Sequence, residues 1–529
     1  MGAADGLEAP SATPLTGASG AEVGNAGEQN DHPRLAWKAL LTLAIAIAVP
    51  LLLTVGRYGL SDEEYYFISA GRHLDWGYAD QPPLVPLVAR LMDTIAPGST
   101  FMMRLPDVFL LMAGVLLVGQ LAREFGARGR AQFLAACGYS VAFLPSGCVL
   151  DTDTFSDTLW LVIMLLVTRW VRLYRQGRAI DVLLIWAGVA TAVSLQVKFQ
   201  VLILWAAIVL AVLVAGPQDM LRRRALWIGF GIAGLTAIPT MAWQATHGWP
   251  QLRMTGVLAA ENLWFFGPWW TFFTYLLLMT GMGIGTVLAI IGLWKLFRWP
   301  GLQDFRFLGW TSVLVIALVF VTRGRFTYAI GVFPLLYAAA AVYVQSKRPA
   351  WWWRWTVSLP IVALSFFPPV TEMNWKPESS ITQPQTKAEL LSRLQDVRML
   401  GWPEYTDSVS RAYHSLPPEV AARATIVTQH FGQAGVLEVL GTREPYNLPK
   451  PYSASRGFGY FDRPKGQVGT VMWVGGSEED LRAHFRDVRQ IGEVTARVNP
   501  ELGTAIWLCE ASELQWSELW PQIQSLQVI

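Results

Sequence analysis

Charged residues are scarce in this chain. Asp, Glu, Lys and Arg make up 15% of its 529 residues, against roughly 25% in soluble domains. Hydrophobic residues make up 53%, with 25 Trp and 25 Phe among them. One aqueous domain core cannot bury that much apolar surface, so a lipid bilayer must cover much of it. The shortage of charge excludes an ordinary soluble protein and predicts a polytopic α-helical membrane protein.

Cysteine is also rare. Cys137, Cys148 and Cys509 lie far apart in the sequence, so they cannot form a disulfide framework or a zinc cluster.

The chain has no Walker, G-x-G-x-x-G or G-x-S-x-G motif, which leaves nucleotide binding and triad hydrolysis without local support. The net charge is only +2, and we expect no nucleic-acid partner.

Long apolar runs dominate residues 33–370. The segment before them, 1–32, is rich in Gly, Ala and Glu and predicts a disordered cytoplasmic tail. Several runs are shorter than the roughly 20 residues of a perpendicular crossing, so their ends are approximate. We expect about eleven transmembrane helices, at 37–55, 109–122, 131–149, 155–171, 180–197, 199–214, 225–243, 269–294, 307–322, 326–345 and 351–368.

The basic residues between these runs indicate an orientation. With a cytoplasmic N-terminus, 18 Lys and Arg fall on inner segments and 8 on outer ones, as the positive-inside rule requires. Lys198 alone separates the runs 180–197 and 199–214. We keep this break because deleting it would exchange the inner and outer assignment of every later loop. An odd number of spans then predicts a large first outer loop, 56–106, and an extracytoplasmic C-terminal segment, 371–529.

Residues 371–529, called the tail below, have the composition of a soluble domain, with 15 basic and 19 acidic residues. The stretch "EEDLRAHFRDV" predicts an amphipathic helix with Ser477 as its N-cap. Three short apolar stretches predict buried strands: "ATIVTQH", "GTVMWVGG" and "TAIWLCE". The tail is therefore expected to be a small α/β domain.

The clearest chemical signal lies in "SDEEYYFISAGRHLDWGYADQPPLVPLVARL", Ser61–Leu91. Asp62 and Glu63 follow the first apolar run closely, and a carboxylate at the edge of a membrane cavity can take a proton from a hydroxyl as a general base. The same acids also suit the first turn of an interfacial helix, whose N-terminus favours negative charge. From charge alone both interpretations stay open.

The run "DEEYY…GYADQPPL" resembles the first outer loop of the GT-C glycosyltransferases that use polyprenyl-phosphate sugars. This group includes protein O-mannosyltransferases and the bacterial transferases that put aminoarabinose on lipid A. The resemblance implies a sugar transferase of the bacterial inner (plasma) membrane. Its donor would be a polyprenyl-phosphate sugar, and its acceptor lipid A or lipopolysaccharide, another envelope glycan or a protein hydroxyl.

The resemblance also implies roles for residues in this first loop. Asp62 matches the catalytic acid, with Glu63 as its neighbour, and substrate contacts are expected from Tyr66, Tyr78, Asp80 and Gln81. Gln81 stands where the lipid A transferases have Lys, and Tyr65 where they have Arg. Both changes remove a cation that could hold a phosphate, so donor contacts must differ in detail.

Further matches lie later in the chain. Asp153, in "LDTDTFSDTLW", resembles the acid at the start of the family's fourth membrane helix, and Lys198 resembles its Lys after the fifth span. The alternatives are that Asp151 and Asp153 cap the next helix and that Lys198 only snorkels to the interface. The remaining matches are Glu261 in the segment before the eighth span, and Arg325 and Tyr328 in "TRGRFTYAIGVFPLLYA".

The implied reaction is a single inverting displacement. Asp62 would take the proton of the acceptor hydroxyl while cations stabilise the departing phosphate, the candidates being Lys198, Arg325 and Arg104. No cofactor is expected. A divalent metal has no support from the sequence, because Asn262 replaces a His that helps bind a metal in the lipid A transferases.

The competing hypothesis is a non-enzymatic lipid transporter or envelope assembly protein. Transporters often carry internal repeats with interrupted helices in matching places, and the sequence shows no such repeat. The enzyme is therefore the favoured interpretation.

The 18-to-8 split of basic residues generates a test of topology. A reporter fused after Val370 should be exposed on the outer face, and one placed within residues 169–178 should be cytoplasmic. Protease and alkylation accessibility in intact cells measure both. Finding the two reporters on one side contradicts the odd number of spans.

Overall fold

The computed structural model describes residues 2, 32–348, 359–371 and 373–527. Apart from Gly2 and His32, the segment predicted to be disordered lies outside these residues. The first part of the chain is helical. Its helices, α1 to α17 in chain order, are Trp37–Thr54, Asp62–Arg72, Leu84–Ile95, Thr100–Glu124, Gly129–Phe143, Thr152–Arg175, Val182–Leu195, Val201–Ala215, Asp219–Arg222, Arg224–Thr246, Pro250–Phe266, Phe272–Met279, Ile284–Arg298, Arg306–Val321, Phe333–Ser346, Leu359–Ser365 and Phe367–Thr371.

The count of eleven spans is not confirmed. Within the described ranges, six helices are long and apolar enough to cross a membrane, or seven if the pair Trp269–Met279 and Ile284–Arg298, bent by 107°, is one span. Three shorter apolar helices include α7 and α8. The predicted break at Lys198 is present, because α7 ends at Leu195 and α8 begins at Val201. The first residues of the run 351–368 lie outside the described residues.

Membrane helices pack closely where small residues face each other. A Cβ atom built on Gly188 in α7 would lie 2.2 Å from the Cα atom of Gly229 in α10. Glycine at both positions lets the two backbones touch, as is common between transmembrane helices. Large apolar side chains such as Leu53, Val214 and Leu235 remain exposed, which suits a lipid-facing surface.

The tail folds as the predicted α/β unit around a five-stranded sheet of order β2-β1-β3-β5-β4. Strand β1 is parallel to β2 and β3, whereas β5 is antiparallel to β3 and β4. The strands β1 to β5 are Thr425–Thr428, Pro451–Ser453, Val471–Val474, Asp487–Glu493 and Ala505–Glu510. The helices α18 to α24 are Lys387–Ser392, Leu394–Arg398, Trp402–His414, Pro418–Ala421, Phe431–Val436, Glu478–Arg482 and Trp516–Ile523.

One predicted helix is shorter than expected. Ser477 does cap α23, its hydroxyl accepting the N–H of Asp480, but the helix ends at Arg482. The chain then forms β4 from Asp487, which pairs with the edge of β5. Ladder hydrogen bonds to a neighbouring strand outweigh the local helical pattern here, since strand formation depends on its partners.

The tail shares a hydrophobic core with the 56–106 loop. Tyr65, Tyr66 and Phe67 of α2 are buried in one cluster with Trp402 and Phe431 of the tail. The loop and the tail are therefore packed as one body, and the side chains of α2 are positioned by both.

Glu64 and Arg104 join α2 to α4. Ser61 caps α2 in a capping box with Glu64, while Arg104 donates to both carboxylate oxygens of Glu64 at 2.8 Å. Arg104 also donates to the carbonyls of Val55 and Gly59. Both side chains of the pair have no exposed surface. Arg104 is thus bound entirely by protein groups.

This pair generates a prediction of stability. Arg104→Ala leaves Glu64 buried without its partner and should lower the free energy of unfolding by about 3–5 kcal/mol. The double variant Glu64→Leu/Arg104→Met removes both charges and should recover much of that loss. Thermal unfolding in one detergent measures both, with exposed Arg57→Ala as control. An Arg104→Ala protein as stable as wild type would contradict the role.

Candidate active site

A pocket of about 300 Å³ lies between the membrane helices and the tail. Its walls come from α2, the start of α6, α11, the turn before α15, and the tail. Of the twelve residues predicted for the site, eight line it: Glu63, Tyr66, Asp80, Gln81, Asp153, Lys198, Arg325 and Tyr328. The other four, Asp62, Tyr78, Arg104 and Glu261, do not line it, although Asp62 and Glu261 pair with the lining residues Arg398 and Arg456.

Asp62 and Glu63 are held by Arg398, the last residue of α19. Arg398 Nε donates to Asp62 Oδ1 at 2.7 Å, and its Nη2 lies 3.0 Å from Glu63 Oε1. Burial would raise the pKa of Glu63, but the charges of Arg398 and Arg325 outweigh it and hold that pKa below its usual value. Glu63 therefore stays ionised.

Asp62 faces the tail. A Cβ atom built on Gly432 would lie 2.9 Å from Asp62 Cβ, so the backbone at Gly432 touches this side chain. In the described part of the chain, Asp62 Oδ2 accepts no hydrogen bond, which leaves one carboxylate oxygen for another group.

Lys198 forms an ion pair with Asp153. Its ammonium group also lies 5.3 Å from the ring centre of Tyr328, and only 15% of its side chain is exposed. Burial alone would lower the pKa of Lys198, but Asp153 raises it overall, so the side chain stays charged. Asp151 caps α6 through the N–H of Asp153 at 3.2 Å, so the capping alternative is correct for Asp151.

Glu261 is buried between two guanidinium groups. Arg325 Nη2 donates to one of its oxygens at 3.2 Å, and Arg456 of the tail pairs with the other. Asn262 donates its amide to the Arg323 carbonyl at 3.1 Å. No cluster of three or more His, Cys, Asp or Glu suited to a metal ion occurs within the described ranges. The residues around Glu261 do not fit a metal site.

The polar groups from the first loop differ in their surroundings. Tyr66 donates to Asp80 Oδ1 at 2.8 Å, and burial raises the pKa of Asp80 although this bond opposes the rise. Gln81 is buried, and its Nε2 has no partner in the part that the structure describes; since Gln81 lines the pocket, this amide is a donor for a ligand. Tyr78 instead donates to the Ala70 carbonyl at 2.9 Å and supports the loop.

Two of the pocket's cations were not predicted. Arg398 and Arg456 belong to the tail, more than 300 and nearly 200 residues from their partners Asp62 and Glu261. Nothing in their local sequence separates them from other surface Arg residues of a soluble domain. Only the packing of the tail on α2 brings them to the pocket.

Four cations thus surround the pocket, each paired with an acid: Lys198, Arg325, Arg398 and Arg456. A phosphate accepts the same charge-assisted hydrogen bonds as a carboxylate. An anionic ligand can therefore displace the acids and bind the cations in their place. Asp62 and Glu63 can then accept a proton beside it.

An apolar groove of about 340 Å³ adjoins the pocket. Phe266 and Phe326 line both spaces, and Phe272, Tyr275 and Phe320 extend the groove along α12 and α14. A ligand with a charged head and a long apolar chain fits this pair of spaces.

Comparison with known proteins agrees with the sequence-based resemblance. Residues 80–243 match the family described as dolichyl-phosphate-mannose-protein mannosyltransferase. This match confirms the resemblance to transferases that use polyprenyl-phosphate sugars and the prediction of a glycosyltransferase. It spans Asp80, Asp153 and Lys198 but begins after Asp62. No curated protein matches the sequence.

Crystal structures of ArnT from Cupriavidus metallidurans share the fold. The one with undecaprenyl phosphate bound is 14% identical, with a TM-score of 0.51 over 88% of this chain and 97% of that one. The apo structure is 13% identical, with a TM-score of 0.53 over 89% and 98%. An oligosaccharyltransferase of Archaeoglobus fulgidus is 13% identical, with a TM-score of 0.47 over 77% and 63%. The ArnT structures confirm the predicted GT-C fold of a multi-pass helical membrane part with a C-terminal α/β region.

Proposed function

We propose that this glycosyltransferase moves a sugar from a polyprenyl-phosphate donor to a hydroxyl of a cell-envelope acceptor. The observation that carries the proposal is one pocket lined by Glu63 and four cations beside an apolar groove, with Asp62 bound to one of those cations, Arg398. The acids suit proton removal, the cations suit a phosphate, and the groove suits a prenyl chain.

We position the donor by the charge of its phosphate and by its apolar prenyl chain. Its phosphate lies among Lys198, Arg325 and the two tail arginines, where it displaces acidic partners from the cations. The first prenyl units pass Phe266 and Phe326 into the groove. A larger apolar groove between α7, α8 and α10 shares no lining residue with the pocket, and we therefore assign the prenyl chain to the groove at Phe266 and Phe326.

The reaction is one displacement at C1 of the sugar. The acceptor oxygen forms a bond to C1 as its proton passes to Asp62 Oδ2, and the bond from C1 to the phosphate oxygen breaks. The electron pair leaves with polyprenyl phosphate, whose negative charge the cations stabilise. Because a single attack occurs from the opposite face, the anomeric centre is inverted.

Asp62 rather than Glu63 is proposed as the base because of its neighbours. Asp62 lies outside the lining of the donor pocket and contacts the tail at Gly432, where we place the acceptor, whereas Glu63 lines the donor pocket with the cations. Catalysis on the outer face of a bacterial inner membrane follows from the proposed N-terminus in the cytoplasm. The acceptor is then a lipid A or lipopolysaccharide sugar, another envelope glycan or a protein hydroxyl.

A transfer assay tests the function. Purified protein is incubated with radiolabelled polyprenyl-phosphate sugars and envelope extracts, and label is followed into lipid, glycan and protein fractions. Transfer from at least one donor is expected. The absence of transfer from every donor, with bound donor still detected, would contradict the proposal and favour a transporter.

A matched pair of variants tests the base. Asp62→Asn should lower the turnover rate about 10²–10⁴-fold without weakening donor binding, because the acid acts on the acceptor proton and its loss leaves Arg398 free for the phosphate. Glu63→Gln, one residue away, should keep measurable transfer. Single-turnover rates and thermal midpoints of both proteins are compared. Activity of Asp62→Asn within a few-fold of wild type would move the base elsewhere.

The cations are tested through donor binding. Lys198→Ala or Arg325→Ala should each weaken binding of a non-hydrolysable donor analogue about 10–150-fold, the equivalent of one charge-assisted hydrogen bond of 1.5–3 kcal/mol. Arg325→Lys should restore part of it, since a point charge replaces a planar fork. Arg57→Ala, an exposed residue of the first loop, is the control. Unchanged dissociation constants in both alanine variants would make the two cations mere interfacial anchors.

A further inference from the structure

The tail contains a second cleft, of about 270 Å³, at the carboxyl ends of its parallel strands. It is called the crevice below. Gln429 and His430 follow β1, Ala454 follows β2 and Gly476 follows β3, and all four line it. The crevice is therefore built from the loops that leave three neighbouring strands at one edge of the sheet.

The strand order explains why a cleft opens there. The chain leaves β1 for β2 on one side, and it leaves β3, which pairs with β1 on the other side, for β4 beyond β5. Connections that leave two neighbouring strands in opposite directions separate at the carboxyl ends of those strands. In open α/β sheets, ligands bind in the crevice at such a switch point.

A glycine pair shapes the floor of the crevice. Gly475 and Gly476 have φ values of +97° and +74°, and a Cβ atom on Gly475 would lie 2.7 Å from the Gln429 side-chain oxygen. The Gly476 N–H donates to that same oxygen. Gln429 is thereby fixed, while its Nε2 donates no hydrogen bond within the described residues. The glycines thus hold an amide donor available to a ligand.

The side chains around the crevice are polar and mostly neutral. Trp473, His430, His484 and Gln522 line it with Asp480. Among the described residues that line the crevice, none is Lys or Arg. Amides, imidazoles and one carboxylate can donate to and accept from hydroxyl groups, whereas an anion would find no cation. These residues favour a neutral, hydroxyl-rich ligand.

The crevice and the donor pocket share two walls. His430 lines the crevice, Phe431 lines the pocket, and Gly432 touches Asp62. The second wall joins Ser525, in the crevice, to Arg456, whose N–H donates to the Ser525 carbonyl at 2.7 Å and whose guanidinium lines the pocket. The segment 430–432 therefore has the crevice on one side and Asp62 on the other.

We propose that the crevice of the tail binds a neutral saccharide portion of the acceptor and presents its hydroxyl toward Asp62. This inference rests on the proposed function. It makes Gln429, His484 and Gln522 binding residues for the acceptor, separate from the cations that hold the donor.

Direct binding tests the crevice without any transfer. Mannotriose and maltotriose serve as neutral probes, and trigalacturonate as an anionic one, with full-length protein in nanodiscs and saturation-transfer NMR as the readout. Gln522→Trp fills the crevice from an exposed position. Ser517→Trp places the same side chain on an exposed position of α24 that does not line the crevice, and is the matched control.

A neutral trisaccharide should bind the wild type and Ser517→Trp alike. Trigalacturonate can bind the cations of the donor pocket, so the Gln522→Trp change should leave its dissociation constant unaltered. His484→Ala and Gln522→Trp should raise the dissociation constant of the neutral trisaccharide about tenfold or more, as expected for loss of one or two neutral hydrogen bonds. Equal binding of the neutral trisaccharide to all four proteins, trigalacturonate binding that is lost in Gln522→Trp, or no binding of either neutral probe to the wild type overturns the proposal.

Kinetics then connect the crevice with transfer. Gln522→Trp should raise KM for a glycan acceptor and leave KM for the donor unchanged, whereas Lys198→Ala affects the donor. A Gln522→Trp protein with wild-type acceptor KM overturns the acceptor role. If no donor supports transfer but trisaccharide binding is lost in Gln522→Trp, the proposed function fails while the saccharide site stands.

Discussion

Arg104 donates to both carboxylate oxygens of Glu64, and neither side chain is exposed. This pair ties α2 to α4, so the first turn of α2 cannot rotate without leaving a charge buried and unpaired, which is costly. With Glu64 turned inward, Asp62 and Glu63 point toward the pocket and the tail. The direction of the two acids at the candidate site thus depends on a neighbour that takes no part in the chemistry.

The tail contributes two cations to the pocket. Arg398 binds Asp62 and Glu63, and Arg456 shares Glu261 with Arg325. Each cation has an acidic partner, so the buried charges are compensated before any ligand is bound. An anionic donor can replace those acids as partner, and the tail is then part of the site rather than an appended domain.

The pocket and the crevice differ in the charge of the side chains that line them. The pocket beside the membrane helices collects Lys and Arg and suits a phosphate, whereas the crevice lacks both among the described residues that line it. The loop at His430 to Gly432 forms a wall of each. In the proposed function, the pocket takes the charged lipid head and the crevice a neutral partner, and the loop between them contacts Asp62 at Gly432.

The sequence by itself determined that the chain has apolar helices but not their number, and it also determined the break at Lys198, three of the five strands and eight of the residues that line the pocket. These features depend on local composition, and residues such as Asp153 and Lys198 stand out because charge is costly at a membrane boundary. The tertiary structure alone decided that Arg104 is a buried partner of Glu64, that Asp487–Glu493 is a strand, and that Arg398 and Arg456 reach the pocket. Those outcomes depend on partners distant in the chain, because pairing and burial are set by packing rather than by neighbouring residues.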